Sequence, residues 1–122
     1  MSKTILVVDD SASVRQMVGM TLKGAGYTVV EASDGQDALK KLDQQRVQLV
    51  ISDVNMPNMD GLTLLKNLKS RADTKFTPVL MLTTESGQSK KEQGKAAGAK
   101  AWVVKPFQPE QMLAAVGKLI SP

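Results

Sequence analysis

The sequence contains no cysteine and no histidine among its 122 residues. The lack of cysteine excludes a disulfide scaffold, a thiolate zinc site and a cysteine nucleophile. The lack of histidine excludes a Ser-His-Asp triad, imidazole metal ligands and histidine acid–base chemistry. Any chemistry of this chain therefore depends on carboxylates, hydroxyls and lysine amines.

Aromatic residues and long apolar runs are also scarce. The four aromatic residues are too few for a base-stacking platform; they are Tyr27, Phe76, Trp102 and Phe107. No apolar run approaches the roughly 20 residues of a membrane span, and no signal-peptide pattern opens the chain. We expect a cytoplasmic protein that does not contact the membrane.

The net charge of +4 is distributed unevenly along the chain. Residues 1–59 carry six basic and seven acidic side chains, whereas residues 60–122 carry ten basic and five acidic ones. A pI of 9.4 is typical of nucleic-acid-binding domains. A lysine-rich solvated surface explains the same charge, so we expect no nucleic-acid partner. The length suits a single domain.

Short apolar runs alternate with segments of helical periodicity. The runs predict buried strands at residues 4–8, 28–32, 48–52, 78–82 and 101–104. Apolar residues spaced three or four apart predict a helix after four of the strands; the first is stopped by Gly24 and Gly26, the third follows the Asp60-Gly61 turn, and the last covers 109–120. The stretch 87–98 has only alanines for an apolar face, so as a helix it would be weakly anchored at the surface. Five strand–helix units predict a doubly wound α/β fold with five parallel strands and five helices.

Polar side chains follow four of these strands. Asp9 and Asp10 come after the first strand, Asp53 after the third, Thr83 after the fourth and Lys105 after the fifth. Ligands of such sheets bind beyond the carboxyl ends of the strands. Each residue alone is compatible with a turn, a helix cap or a surface charge, but their joint placement favours one common site.

This combination of residue types favours phosphoryl chemistry. Neighbouring carboxylates repel unless one is protonated or a divalent cation lies between them, and an all-oxygen ligand set suits Mg²⁺. A lysine and a threonine hydroxyl add a cradle for anionic oxygens. Asp53 is the candidate nucleophile. The glycine-rich loops of nucleotide-binding proteins are absent from the sequence, which argues against NTP binding.

The same residues resemble response-regulator receiver domains. The resemblance is carried by Asp9-Asp10, by Asp53 in ISDVNMPNMDG, by Thr83 in MLTTE and by Lys105 in VVKPF. NMPNMDGL and VVKPF are most similar to single-domain chemotaxis regulators. The resemblance implies a flavodoxin-like strand order 2-1-3-4-5 and a single receiver domain over residues 1–122, with no output domain. It also implies a cis peptide bond before Pro106.

The resemblance further implies a role for each site residue. Asp53 would accept a phosphoryl group from a sensor histidine kinase of the chemotaxis (CheA-like) type. Asp10, Asp53 and the main-chain carbonyl of Asn55 would bind Mg²⁺, and Asp9 would reach it through water. Lys105 would pair with Asp53 and then with a phosphoryl oxygen.

The implied switch involves residues beyond the metal site. Thr83 would move to hydrogen-bond the phosphoryl group, and Trp102 would turn inward behind it. Asn55 and Glu85 would tune the lifetime of the phosphoryl group. Trp102 is larger than the tyrosine or phenylalanine usual in chemotaxis regulators, and Thr84 replaces a residue that is often smaller. We therefore expect a narrow inward pocket.

The expected output surface comprises helix 87–98, strand 101–104 and helix 109–120. A flagellar switch protein or a phosphatase would bind there, or the chain would act as a phosphate sink. We expect a monomer. It would catalyse only its own phosphorylation and dephosphorylation. Two alternatives stay open. One is an aspartyl-phosphate phosphohydrolase, disfavoured because Asn55 stands where a second aspartate is typical of such enzymes. The other is a nucleic-acid-binding or scaffolding module.

Overall fold

The computed structural model describes residues 3–54, 59–83, 95 and 98–120. These residues form five strands and four helices, in the order β1 (Thr4–Val8), α1 (Ala12–Gly24), β2 (Thr28–Ala32), α2 (Gly35–Gln44), β3 (Leu49–Asp53), α3 (Gly61–Ser70), β4 (Val79–Thr83), β5 (Ala101–Val104) and α4 (Pro109–Leu119). Apart from Lys95 and Gly98, the predicted helix 87–98 lies outside the described residues, as do Asn55, Thr84 and Glu85.

The strands form one parallel sheet with the order β2-β1-β3-β4-β5, which confirms the predicted fold. The register places Ile5 of β1 between Val29 of β2 and Leu49 of β3. The strand order reverses between β1 and β3. The carboxyl ends of these two strands therefore lie at the point where doubly wound sheets bind ligands.

Burial differs between the inner and the outer strands. β3 and β4 are buried throughout, and β1 nearly so, whereas β2 and β5 are partly exposed at the two sheet edges. The side chains on the two faces of the sheet belong to two separate apolar clusters. One includes Leu6, Leu64 and Leu65 of β1 and α3, and the other includes Ile5, Val18 and Met112 of β1, α1 and α4.

Three helices begin at side-chain caps encoded in the sequence. The side chains of Ser11, Asp34 and Asp60 each accept a hydrogen bond from the main-chain N–H three residues later. Such a cap stabilises a helix by about 1 kcal/mol relative to alanine. The cap at Ser11 places the start of α1 shortly after Asp9, and the cap at Asp60 starts α3 after the segment that follows Asp53.

The remaining helix boundaries also follow local chemistry. α1 ends at Gly24, and Gly26 has a φ of 100°, a left-handed conformation that favours glycine. α4 begins with Pro109 in its first turn and a capping box between Gln108 and Gln111. Among the described residues, no helix combines the length and the apolar character needed to cross a bilayer.

Candidate functional site

The carboxyl edge of the sheet brings acidic residues together. Asp9 follows β1 directly, Asp53 is the last residue of β3, and Asp10 lies next to Asp9. One carboxylate oxygen from each of the three residues lies within 4.8 Å of the other two. Asp9 is fully buried and Asp53 is 4% exposed, whereas Asp10 is exposed.

Lys105, which follows β5, reaches two of these carboxylates. Its Nζ donates a hydrogen bond to Asp9 Oδ2 at 2.8 Å and lies 3.3 Å from Asp53 Oδ1. The expected partner was Asp53, and the structure adds a shorter contact with Asp9. Burial lowers the pKa of Lys105, but the hydrogen bonds and charges of Asp9 and Asp53 outweigh it, so its pKa lies above the ordinary value. The amine therefore stays protonated and partly offsets the negative charge of the carboxylates.

Asp9 is held at its main-chain and side-chain atoms. Its N–H donates to the carbonyl oxygen of Ala32 at 3.2 Å, and its Oδ1 accepts from the N–H of Ser11 at 2.9 Å. Arg15, which belongs to none of the site motifs in the sequence, donates from Nη1 to the carbonyl oxygen of Asp9 at 2.6 Å. No pattern in the sequence predicts this contact, because it depends on the conformation of a long side chain.

The end of β3 is positioned by a close approach of α3. A Cβ atom added to Gly61 would overlap the carbonyl oxygen of Asp53 and lie 2.9 Å from Cα of Val54 and Cε of Met81. The sequence interpretation of Gly61 as a turn residue was wrong, since Gly61 is the first residue of α3 and is not among the glycines with positive φ. Its missing side chain lets α3 start directly against the main chain of Asp53.

The last residue of β4 and the residues after β5 lie at the same edge of the sheet. Thr83 is fully buried, and its carbonyl oxygen accepts a hydrogen bond from the N–H of Lys105 at 2.6 Å. The Lys105–Pro106 peptide bond is cis, as the sequence resemblance implied. Trp102 is partly buried and packs against the apolar cluster that includes α2 and α3. The positions of Asn55 and Glu85 in the site lie outside the described residues.

The donor set of this site fits Mg²⁺. It consists of carboxylate oxygens, the hard ligands that Mg²⁺ prefers, and contains no nitrogen or sulfur ligand among the described residues. Three carboxylates face one lysine amine, so a net negative charge is left for a divalent cation. The buried Asp9 and Asp53 and the exposed Asp10 combine fixed ligands with access from solvent.

Comparisons with known proteins agree with this geometry. The family model of the response regulator receiver domain matches residues 5–117. The chain is similar to the Chemotaxis protein CheY1 of Helicobacter pylori strain J99, with 43% identity and 87% coverage of each chain. It is also 38% identical to the Alkaline phosphatase synthesis transcriptional regulatory protein PhoP of Bacillus subtilis, over 98% of this chain but 49% of that protein. The chain thus spans about half the length of that relative.

Solved structures give the same result. The chemotaxis protein CheY4 of Vibrio cholerae superimposes with a TM-score of 0.94 at 48% identity, covering 98% of this chain and 100% of that one. A response regulator from Chloroflexus aurantiacus superimposes with a TM-score of 0.93 at 37% identity, with 98% of each chain covered. Both similarities extend over nearly the whole chain.

Proposed function

Because the chain belongs to the response-regulator receiver domain family, we propose that Asp53 is its phosphoryl-accepting residue. Receiver domains are phosphorylation-dependent signalling switches rather than classical enzymes. One observation carries the proposal. Asp53 is nearly buried at the carboxyl end of β3, with Lys105 Nζ 3.3 Å from its Oδ1 and two further carboxylates beside it.

The reaction proposed for Asp53 is a phosphoryl transfer. A carboxylate oxygen of Asp53 attacks the phosphorus of a phosphohistidine on a sensor kinase, and an O–P bond forms as the P–N bond breaks. The electron pair of the broken bond stays on the imidazole nitrogen of the kinase, which takes up a proton. The ammonium group of Lys105 stabilises the negative charge on the phosphoryl oxygens.

Magnesium is the cofactor that we propose for this transfer. Receiver domains generally bind Mg²⁺ at an acidic pocket, and here Asp10 and Asp53, with the carbonyl of Asn55, would hold the ion while Asp9 contributes through water. When bound, the cation neutralises charge on the phosphoryl oxygens. Phosphorylation adds a charge of about −1.5 to −2 at Asp53, and the roles proposed for Asn55 and Glu85 are to control the lifetime of that group.

The proposed response begins at Thr83 and Lys105, whose main chains are hydrogen-bonded to each other. The Thr83 hydroxyl binds a phosphoryl oxygen, and Trp102 turns toward the space that Thr83 leaves. A cavity of about 620 Å³ lies beside Trp102, Val104 and Lys118. We place the partner-binding surface there, on β5 and α4, together with the segment 87–98.

We also propose the setting in which the switch works. The likeness to chemotaxis proteins supports a CheA-like histidine kinase as the phosphoryl donor and a flagellar switch protein or a phosphatase as the partner; a phosphate-sink role would need no partner. We propose a cytoplasmic monomer in which residues 1–122 act as one receiver domain.

A stepwise titration tests the proposed function. Mg²⁺ and then acetyl phosphate are added while the fluorescence of Trp102, the only tryptophan, is recorded and the intact mass is measured. We expect a Mg²⁺-dependent change, a second change with the donor, and a mass increase of one phosphoryl group. Asp53→Asn should abolish the mass increase. Asp43→Asn, which removes an exposed carboxylate far from the site, is the matched control and should behave as wild type.

Two results would overturn this proposal. The first is an unchanged phosphoryl content in Asp53→Asn. The second is no phosphorylation of the wild-type chain at saturating Mg²⁺, either with acetyl phosphate or with a phosphohistidine-containing histidine kinase as the donor.

A further inference from the structure

Arg15 connects the acidic site to the neighbouring strand β2. It lies in the first turns of α1, and its side chain is 18% exposed. Nη1 donates to the carbonyl oxygen of Asp9 at 2.6 Å, and Nε lies 3.3 Å from Oε1 of Glu31 on β2. One guanidinium group thus bridges the end of β1 and the side chain of Glu31.

The carbonyl that Arg15 binds belongs to the peptide unit that joins Asp9 to Asp10. A peptide unit is planar, so its carbonyl oxygen, its N–H and both flanking Cα atoms keep fixed relative positions. Holding this oxygen therefore orients the main chain of Asp10 as well as that of Asp9. This hydrogen bond therefore acts on the main chain next to two of the three carboxylates.

The remaining contacts of Asp9 act on other atoms. Its N–H bonds to Ala32, and its carboxylate oxygens bond to Ser11 and Lys105. The contact to the carbonyl oxygen of Asp9 comes from Arg15. Asp10 is exposed, so packing orients its carboxylate less than that of the buried Asp9. Asp10 is therefore the ligand that depends most on the orientation of the shared peptide unit.

Glu31 offsets the charge that Arg15 brings to this end of β1. An uncompensated guanidinium close to a cation site would repel Mg²⁺. The Glu31 carboxylate pairs with Nε, and its own main-chain carbonyl accepts a hydrogen bond from Lys41 Nζ at 2.8 Å. Glu31 both orients the guanidinium and reduces its electrostatic effect.

We infer that Arg15 is a positioning residue for the metal site, and that Glu31 orients it. Arg15 does not touch the metal or the phosphoryl group. It sets the orientation of the Asp9–Asp10 peptide unit and thereby the affinity for Mg²⁺. This inference rests on the proposed function, since it takes Asp9 and Asp10 as metal ligands.

The sign of the effect separates positioning from simple electrostatics. If Arg15 acted only through its charge, removing that charge would strengthen Mg²⁺ binding. If it positions the ligands, its removal weakens Mg²⁺ binding, by about tenfold or more as for other groups that orient metal ligands. A role confined to stability would leave the dissociation constant unchanged in the folded variant.

The test is isothermal titration of Mg²⁺ into five proteins at constant ionic strength: the wild-type chain, Arg15→Met, Arg15→Lys, Glu31→Gln and Arg71→Met. Arg71→Met is the matched control, because Arg71 is also a partly buried arginine paired with carboxylates but belongs to the other end of the sheet. Thermal unfolding without Mg²⁺ establishes that each variant is folded.

We expect Arg15→Met to weaken binding about tenfold, Glu31→Gln to weaken it less, and Arg15→Lys to restore part of the loss. Arg71→Met should bind as wild type. Equal or tighter binding by Arg15→Met would overturn the inference; if that variant does not fold, wild-type affinity in both Arg15→Lys and Glu31→Gln would do so. Absence of Mg²⁺ binding by the wild-type chain would overturn the proposed metal site and this inference with it.

Discussion

The two ends of the sheet each hold an ion-pair cluster of similar geometry in very different surroundings. At the carboxyl edge, Lys105 lies 2.8 and 3.3 Å from carboxylates whose side chains are 0% and 6% exposed. At the opposite end, Arg71 lies 2.9 and 3.0 Å from Asp43 and Asp73, which are 69% and 47% exposed. Distance alone does not distinguish the clusters, but desolvation does.

Burial determines what each cluster does for the protein. Exposed pairs contribute little to stability because water competes for both charges and salt screens them. Buried charges interact more strongly, and each depends on its partner because the alternative is an uncompensated charge away from water. A cation or a phosphoryl group at the carboxyl edge should therefore change the electrostatic energy of the buried charges strongly. The Arg71 cluster, in contrast, links α2 to the residues after α3.

The largest expected difference between the two ends comes from removing their cations. Lys105→Met should lower the free energy of unfolding in Mg²⁺-free buffer by about 3 kcal/mol, since it leaves Asp9 and Asp53 without their shared counter-charge. Mg²⁺ should restore more stability to this variant than to wild type, because it then supplies the missing positive charge. Urea unfolding with and without Mg²⁺ measures both effects.

Arg71→Met provides the control for this prediction. We expect a small loss of stability, typical of exposed ion pairs, and no additional response to Mg²⁺. Equal losses in the two variants would contradict the contrast between the ends of the sheet.

The next largest effect concerns how closely the main chain packs at the carboxyl edge. Gly61→Ala should destabilise the fold by about 1–3 kcal/mol, because the added methyl group overlaps the Asp53 carbonyl oxygen and the helix must shift. Gly117 of α4 has nothing within 4 Å of an added Cβ, so Gly117→Ala should instead stabilise by about 0.5–1 kcal/mol through helix propensity.

Thermal unfolding of both glycine variants checks these signs. Phosphorylation by acetyl phosphate should slow in Gly61→Ala and stay unchanged in Gly117→Ala, because Gly61 packs against the main chain of Asp53. A neutral Gly61→Ala variant would show that the close approach relaxes without moving β3.

The smallest effects are those of pH, and they have opposite signs at the two ends. The pKa of Lys105 is raised, so its contribution to stability is complete below the ordinary lysine value of 10.5 and is lost as the pH rises beyond it. The pKa of Asp73 is lowered, mainly by its hydrogen bond with Arg71, so its contribution is present above 3.8 and is lost as the pH falls below it.

Difference curves of unfolding free energy against pH separate these two contributions. Wild type minus Lys105→Met should change on the alkaline side, where the amine loses its proton. Wild type minus Arg71→Met should stay constant there, because the guanidinium keeps its charge, and should change on the acid side as Asp73 is protonated. An alkaline change in the Arg71 pair, or none in the Lys105 pair, would contradict the assignment.

The strand pattern was predictable because it depends on short apolar runs. β1, β2 and β5 have the expected bounds, while β3 and β4 both start and end one residue later than predicted, so that they end at Asp53 and Thr83. Both residues pair across the sheet, Asp53 with Leu82 and Thr83 with Val104. Polar side chains can thus extend a buried strand when their main chain has a neighbour, which composition does not reveal.

The sequence predicted which residues lie together in the site, but it did not predict the individual contacts between them. Asp9, Asp53 and Lys105 lie at one edge because of their positions at strand ends, independently of their side-chain conformations. The shorter contact from Lys105 to Asp9, the bond from Arg15 to the Asp9 carbonyl and the close approach of Gly61 depend on side-chain conformation and on how α1 and α3 pack. Those features arise only in three dimensions.

The hydrogen bond from the N–H of Lys105 to the carbonyl oxygen of Thr83 has a kinetic consequence. It joins the main chains of the two residues at the end of the β4–β5 pair. While the bond is intact, the ends of β4 and β5 therefore move together. If Asp53 is phosphorylated as proposed, we expect the early response to be rotation of the Thr83 and Lys105 side chains, which leaves this main-chain bond intact. Any displacement of β5 relative to β4 requires this bond to open and belongs to a slower, separate relaxation.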